Sequence, residues 1–261
     1  MSYIKKDISR KITLLADETD GAVYLIKGRD MSLIFDTGWD SRPLKPLAEG
    51  LIKTPYKVVF SHGHVDHVGR SGEFDAVYMD KNDMGIYRLN PVRTMPHLTF
   101  ISEDKILPVE NILDLGDRVI DVVPCPGHTP GSILLVDRQE KAVFTGDAIG
   151  SGCGVWLQCT GALKVSRYRE SLKNCLRQLE KLGVDESWNF YGGHPGQEKM
   201  SKVSEYNRLD INLMADMERL CGLVMDRKVE FTPADVMEFD EGKPYYVRYK
   251  KAEMFFVLEK I

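Results

Sequence analysis

The segment Ser61-His62-Gly63-His64-Val65-Asp66-His67 holds three of the chain's six histidines, together with an aspartate. A lone histidine is more often a satisfied polar side chain than a ligand. Three histidines and an aspartate in this pattern would arise by chance in roughly one such chain in several thousand, so a metal-binding role is the better reading. His62 and His64 are two apart, and an extended backbone turns both to one side. They directly follow Lys57–Phe60, which reads as a short buried strand, so a sheet end presents them. Gly63 lets the chain turn tightly between them. Asp66 and His67 are adjacent and would diverge in regular structure; a turn there aims them at a second point nearby. One short loop is thereby expected to serve two neighbouring metals.

Further donors stand where runs of β-formers break into Gly or Pro. These are His128 in Pro124-Cys125-Pro126-Gly127-His128-Thr129-Pro130-Gly131-Ser132, Asp147 in Phe144-Thr145-Gly146-Asp147, and His194 in Tyr191-Gly192-Gly193-His194-Pro195-Gly196. Loops at the ends of a rigid sheet are where sites are usually built. Four separate segments ending in His or Asp point to convergence on one cleft.

The rest of the chain supplies a frame for such a cleft. Lys11–Ala16, Ala22–Lys27 and Ser32–Phe35 read as strands separated by Asp/Gly turn signals. Ser41–Lys53 has helical spacing, with Leu44, Leu47 and Leu51 on one face and Ser41 as its expected cap. Ala76–Met79 reads as a strand and Asn82–Leu89 as a helix capped by Asn82, while 90–118 looks irregular. Strands return at Val119–Val123, Ser132–Val136, Ala142–Thr145 and Ser187–Tyr191. Lys164–Leu182 and Lys199–Asp226 read as amphipathic helices, and Tyr245–Tyr249 with Glu253–Leu258 as a terminal hairpin. Strands and helices without strict alternation predict an α+β chain, two sheets packed together with helices outside.

Composition narrows the functions. The 261 residues are 43% hydrophobic and 28% charged, ordinary globular usage. A formal net charge of −4, with no cationic cluster, argues against a sequence-independent nucleic-acid binder and a polybasic membrane anchor. The five cysteines are scattered and none form a CxxC pair. They read as reduced thiols, and the expected location is cytoplasmic.

The chain resembles the metallo-β-lactamase superfamily, nearest to its glyoxalase II-like hydrolases. The resemblance rests on the His62–His67 cluster, Gly127-His128-Thr129-Pro130-Gly131-Ser132, Thr145-Gly146-Asp147, Gly193-His194-Pro195 and Asp36-Thr37-Gly38, and spans about residues 12–196. It implies an αββα sandwich of two mixed β-sheets flanked by helices. It further implies a single domain over 1–261, with 198–261 as a C-terminal helix and hairpin extension. By motif, His62, His64 and His128 would hold one metal, Asp66, His67 and His194 a second, and Asp147 would bridge them. Asp36 resembles the aspartate that orients a ligand histidine. His97 is left over.

An all-imidazole and carboxylate donor set suits zinc, the expected metal, and also admits iron or manganese. The resemblance implies a dinuclear metal-dependent hydrolase. A metal-bridging hydroxide would attack an ester, lactone or thioester carbonyl, with Asp66 orienting or shuttling the proton. The expected partner is a small molecule with an apolar portion, with no nucleic acid and no membrane; a homo-oligomer is compatible. Met84, Tyr87, His97, Trp156 and Tyr168 are candidate pocket residues, and Tyr168 and Tyr191 are candidates for the metal-proximal tyrosine of the superfamily's lactonases. The chain departs from glyoxalase II after His194, where Tyr245–Leu258 matches no glutathione-binding pattern. The alternative is a non-haem iron oxygenase or redox enzyme of the same fold, similar to the persulfide dioxygenases. A nuclease is disfavoured by the dispersed Lys and Arg.

Overall fold

The computed structural model describes residues 3–16, 21–90, 95–196, 208–236 and 242–261. The chain divides into two compact units, the first formed by Met1–Val122 with Gly193–Pro195 and the second by Val123–Gly192 with Gly196–Ile261.

The first unit is built on seven strands: β1 (Ile4–Asp7), β2 (Ile12–Ala16), β3 (Ala22–Lys27), β4 (Ser32–Phe35), β5 (Tyr56–Val59), β6 (Val77–Met79) and β7 (Ile106–Pro108). They lie side by side in sequence order. The antiparallel β1-β2-β3-β4 run gives way to parallel β4-β5-β6-β7 pairing. Strands β2, β3 and β4 are almost wholly buried, which fits their mostly apolar sequences. Leu15, Val23, Leu25, Ile34, Val58 and Phe60 form the heart of this unit's core. The helices α1 (Lys45–Leu51), α2 (Val65–Val68) and α3 (Met84–Leu89) and the short β8 (Ile112–Asp114) complete it. Strand β8 pairs with β9 (Val119–Pro124), which runs on into the second unit.

In the second unit β10 (Ile133–Asp137), β11 (Ala142–Gly146) and β13 (Asn189–Gly192) stand in the order β13-β11-β10. A four-stranded sheet has the order β12-β16-β15-β14, from β12 (Val155–Trp156), β14 (Thr232–Pro233), β15 (Pro244–Tyr249) and β16 (Ala252–Val257). Helices α4 (Val165–Lys181) and α5 (Ile211–Met225) pack on each other, with Arg169 Nε 2.7 Å from Glu218 Oε1. Val165, Tyr168, Leu172, Cys175 and Leu179 are buried at helical spacing. No described helix is long and apolar enough to cross a membrane.

The α+β class is as the sequence predicts, and most strands fall within a residue or two of their expected bounds. The corrections lie at caps and short edges. Helix α1 starts at Lys45, after a Leu44 that offers no side-chain cap, so Ser41 does not cap it; a proline in its first turn supplies a preset φ instead. Asn82 is not a cap either: Asp80 accepts from the Asn82 N–H to open a 3₁₀ turn, and α3 begins at Met84. The stretch 90–118 carries β7 and β8, strands too short to show a period. Helix α5 begins at Ile211, where Asp210 caps it through the Leu213 N–H, so no continuous helix runs from Lys199; residues 199–207 lie outside the described residues.

Candidate metal centre

In the first unit, parallel β4 and β5 are in register, with Phe35 opposite Val59, so both release the chain at the same edge. Asp36 N donates to Val59 O at 2.9 Å, which sets Asp36 beside Ser61. Asp36 has φ +65°, a left-handed conformation that a short polar side chain tolerates. Its carboxylate takes up the loop that follows β5. Oδ1 accepts from Ser61 N at 2.7 Å, and Oδ2 accepts from Ser61 Oγ at 2.7 Å and lies 2.8 Å from His67 Nδ1. A carboxylate only accepts, so His67 carries its proton on Nδ1 and presents Nε2. Ser61 Oγ is also 2.9 Å from His62 Nδ1. Because the hydroxyl proton is given to Asp36, His62 donates from Nδ1 and likewise presents Nε2.

His64 has extended backbone, ψ 152°, and caps α2, whose first turn carries Asp66 and His67. His62 Nε2 lies 3.1 Å from His64 Nδ1. Asp66 Oδ2 lies 3.8 Å from His67 Nε2 and 3.3 Å from His194 Nε2. The ligand atoms of Asp66, His67 and His194 all fall within 4.8 Å of one another. Tetrahedral zinc with ligands at about 2.0–2.1 Å places donor atoms roughly 3.3 Å apart; the Asp66–His194 pair matches this and the Asp66–His67 pair, at 3.8 Å, is wider. Asp66 and His67 therefore do not diverge; the helical turn brings them together. The loop before His194 is tied down because Gly193 O accepts from Ala22 N at 2.8 Å.

Two residues outside the motif clamp it. The Gly63 N–H donates to Asp83 Oδ2 at 2.7 Å, and Asn90 Nδ2 donates to Gly63 O at 3.0 Å, both partners being buried. A Cβ at Gly63 would stand 3.0 Å from Asp83 O and 3.1 Å from Tyr87 N, so the close approach favours glycine. Thr37 adds a second hold, its N–H and Oγ both donating to His67 O, at 2.7 and 3.0 Å. Nothing in local sequence pattern marks Asp83, Asn90 or Ser61 as supports, since each acts across a fold contact.

The second unit carries the other two donors. His128 Nε2 and Asp147 Oδ2 are 3.7 Å apart. His128 Nδ1 lies 2.8 Å from Trp156 O, an acceptor, so this histidine also presents Nε2. Tyr168 stands behind both loops. A Cβ at Gly127 would meet Tyr168 Cδ2 at 2.0 Å, and Tyr168 Oη donates to Ala148 O at 2.7 Å, next to Asp147. Tyr168 is fully buried and burial pushes its hydroxyl well up, so this expected pocket residue lines the interior instead. Tyr87 is buried as well, and its hydroxyl donates to Ile101 O at 2.7 Å. Met84, His97 and Trp156 are half-buried. His97 Nε2 donates to Trp39 O at 3.1 Å and joins no donor group among the described residues. Tyr191 is half-buried on β13, its ring 5.5 Å from that of Phe144.

His62, His67 and His128 are each held through Nδ1 with Nε2 left to face a ligand, the arrangement that metal-ligating histidines use. This donor set fits divalent metal. The family model of the metallo-β-lactamase superfamily matches residues 16–194, and the chain belongs to that superfamily. Among characterised relatives, it is 25% identical over 192 residues to the human (Homo sapiens) acyl-coenzyme A thioesterase MBLAC2, covering 60% of this chain and 67% of that protein. It is 26% identical over 130 residues to the hydroxyacylglutathione hydrolase GloC of Haemophilus influenzae, covering 46% of this chain and 61% of that protein. The match thus spans about two thirds or less of each relative's length. A metallo-β-lactamase from Pontibacter korlensis superposes with a TM-score of 0.61 at 15% identity, covering 85% of this chain and 99% of that one, which shows the shared fold.

Proposed function

We propose that the chain is a dinuclear metal-dependent hydrolase acting on an acyl thioester, in preference to a lactone or simple ester. His62, His64 and His128 are read as ligands of one metal, Asp66, His67 and His194 as ligands of the other, and Asp147 as the bridge. Zinc is the proposed metal. The observation that carries this reading is the orientation of His62, His67 and His128, each anchored through Nδ1 with Nε2 presented. Structural histidines have no need of so consistent a tautomer.

Bound metals would supply an activated water near neutral pH and polarise the scissile carbonyl. The chain's own residues do the rest. Asp66, with 24% of its side chain exposed, is the accessible carboxylate beside His194 and His67, and is assigned the role of orienting and passing the proton. Asp36 and Ser61 hold His67 and His62 in one tautomer throughout. Tyr87 and Tyr168 have their hydroxyls committed to backbone carbonyls, so neither is assigned to substrate. Met84, His97 and Trp156 remain the candidate contacts for an apolar acyl portion. The two relatives, a thioesterase and a hydroxyacylglutathione hydrolase, favour a thiol-linked acyl group. The five buried cysteines fit a reducing, cytoplasmic setting.

The test is a purified protein assayed for metal content and offered acyl-coenzyme A, S-acyl-glutathione, lactone and simple ester substrates. Two metal equivalents and thioester hydrolysis abolished by chelation are expected. Oxygen consumption with a persulfide by an iron-loaded protein, with no hydrolysis of any substrate, would replace this reading with the oxygenase alternative.

A further inference from the structure

The structure assigns the C-terminal hairpin β15–β16 a positioning role: it holds the Trp156 carbonyl where that carbonyl fixes the tautomer of His128. The importance of that tautomer for metal rests on the reading of His128 as a ligand. The hairpin lies wholly beyond residue 194, where the match to the superfamily ends.

The path is short and made of direct hydrogen bonds and strand pairing. His128 Nδ1 donates to Trp156 O at 2.8 Å. Trp156 belongs to β12, a strand of only two residues, and its strand partner is β16, in parallel register with Val155 opposite Met254 and Trp156 opposite Phe255. Leu157 N then donates to Phe255 O at 2.7 Å, so the peptide that carries the Trp156 carbonyl is itself bonded to the hairpin through its N–H. The segment before β12 has no regular structure of its own. Gly150, Gly152 and Gly154 take φ of +75°, +113° and +101°, conformations that L side chains rarely adopt. A two-residue strand after three such glycines has no local means of fixing its carbonyls; its order comes from β16.

The hairpin is built to be the rigid partner. Pro244–Tyr249 and Ala252–Val257 pair residue for residue, and all six residues of β16 are buried. Gly154 runs so close to it that a Cβ would stand 2.9 Å from both Cβ and O of Glu253. The Phe255 ring sits between those of Trp156 and Tyr246, with centroids 6.2 and 5.4 Å away, and Tyr246 Oη donates to the buried Glu253 at 2.5 Å. A shift of β16 would thus carry β12 with it and take the acceptor from His128. Without that acceptor the imidazole interconverts between tautomers, and only one of them offers Nε2.

The test reads the histidine directly. Long-range ¹H–¹⁵N spectra of metal-free, histidine-labelled protein are expected to show His128 as a single Nδ1–H tautomer. Two variants probe the support. Phe255→Ala removes the ring that backs Trp156. Should that variant fail to fold, replacing Leu157 by its α-hydroxy acid makes the Trp156 carbonyl an ester, a weaker acceptor, and deletes the N–H that reaches Phe255, with every side chain intact. In a folded variant His128 should become a tautomer mixture, and metal affinity at one site should fall about 10–100-fold. A His128 that remains a single Nδ1–H tautomer in the folded ester variant overturns the inference. A tautomer mixture with metal affinity unchanged supports the positioning role and instead removes His128 from the ligand set.

Discussion

His67 Nδ1 stands 2.8 Å from Asp36 Oδ2, and Asp36 reaches it from a left-handed backbone at φ +65°. The same oxygen accepts from Ser61 Oγ, so one carboxylate orients two motif histidines, His67 directly and His62 through the serine. Asp36→Asn keeps a residue that tolerates this backbone but puts an amide where an acceptor is needed. Metal affinity should fall about 10–100-fold while two equivalents still bind at excess metal. Competition titration against a chelator checks this, and an unchanged affinity would remove Asp36 from the role.

Gly127 and Tyr168 leave no space between them. Gly127→Ala places a Cβ 2.0 Å from the Tyr168 ring, and the ring cannot retreat without giving up its bond to Ala148 O. A loss of roughly 1–3 kcal/mol is expected, as for other overpacked interiors. Thermal unfolding should register it as a Tm several degrees lower, at about 2–4 °C per kcal/mol for a chain near this size. A variant that melts with the parent would show that the two loops are not pinned there.

Asp147→Asn and His97→Ala separate the assigned ligands from the remaining histidine. On the proposed scheme the first removes the negative charge shared between two dications. It should cost metal affinity and on the order of 10²-fold or more in rate. The second should leave metal content unchanged, because His97 is bonded to Trp39 O and joins no donor group among the described residues. Elemental analysis of both variants decides, and the reverse pattern would mean the site is misplaced.

All five cysteines are buried, and burial raises the thiols of Cys175 and Cys221 above the ordinary range, with the neighbouring Cys125 the larger cause for Cys175. The thiolate is the reactive form, so alkylation at pH 8 should proceed only on unfolding. Mass spectrometry of native protein treated with iodoacetamide is expected to show no adduct and undiminished activity. Rapid labelling of the folded protein would contradict the burial.

Asp117 accepts from Lys11 Nζ at 2.6 Å and from Arg29 N at 2.9 Å, contacts that pull its carboxyl down to about 2. A pKa lower in the folded than in the unfolded chain stabilises the fold above the unfolded value near 4. That contribution fades as pH falls through 2. The pair is partly solvated, so it contributes on the order of 1 kcal/mol or less. The Tm gap between the parent and Asp117→Asn should be widest above pH 4, close toward pH 2, and shrink in high salt. A gap that persists unchanged at pH 2 would sink this assignment.

The candidate donors could be picked out in the chain because their signals are local. His62, His64, Asp66 and His67 lie within six consecutive residues, and His128, Asp147 and His194 each follow a run of β-formers that ends in Gly or Pro. Long buried strands such as Ala22–Lys27 announce themselves for the same reason: a strand buried on both faces is mostly apolar. What stayed hidden depends on groups far apart in sequence. Strands β7 and β8 are three residues each and become strands only because a neighbour supplies the ladder bonds. Ser41 and Asn82 have the right chemistry for caps, yet the chain enters each helix elsewhere, since the tertiary path sets which N–H groups are exposed. Tyr168 looked like a pocket residue by type, but only the fold shows it sealed behind Gly127 and bonded to Ala148. The sequence by itself thus singled out the candidate donor residues. The tertiary structure decided which nitrogen of His62, His67 and His128 faces outward, because that choice is made by Ser61, Asp36 and the Trp156 carbonyl, two of which reach their histidine only through the fold.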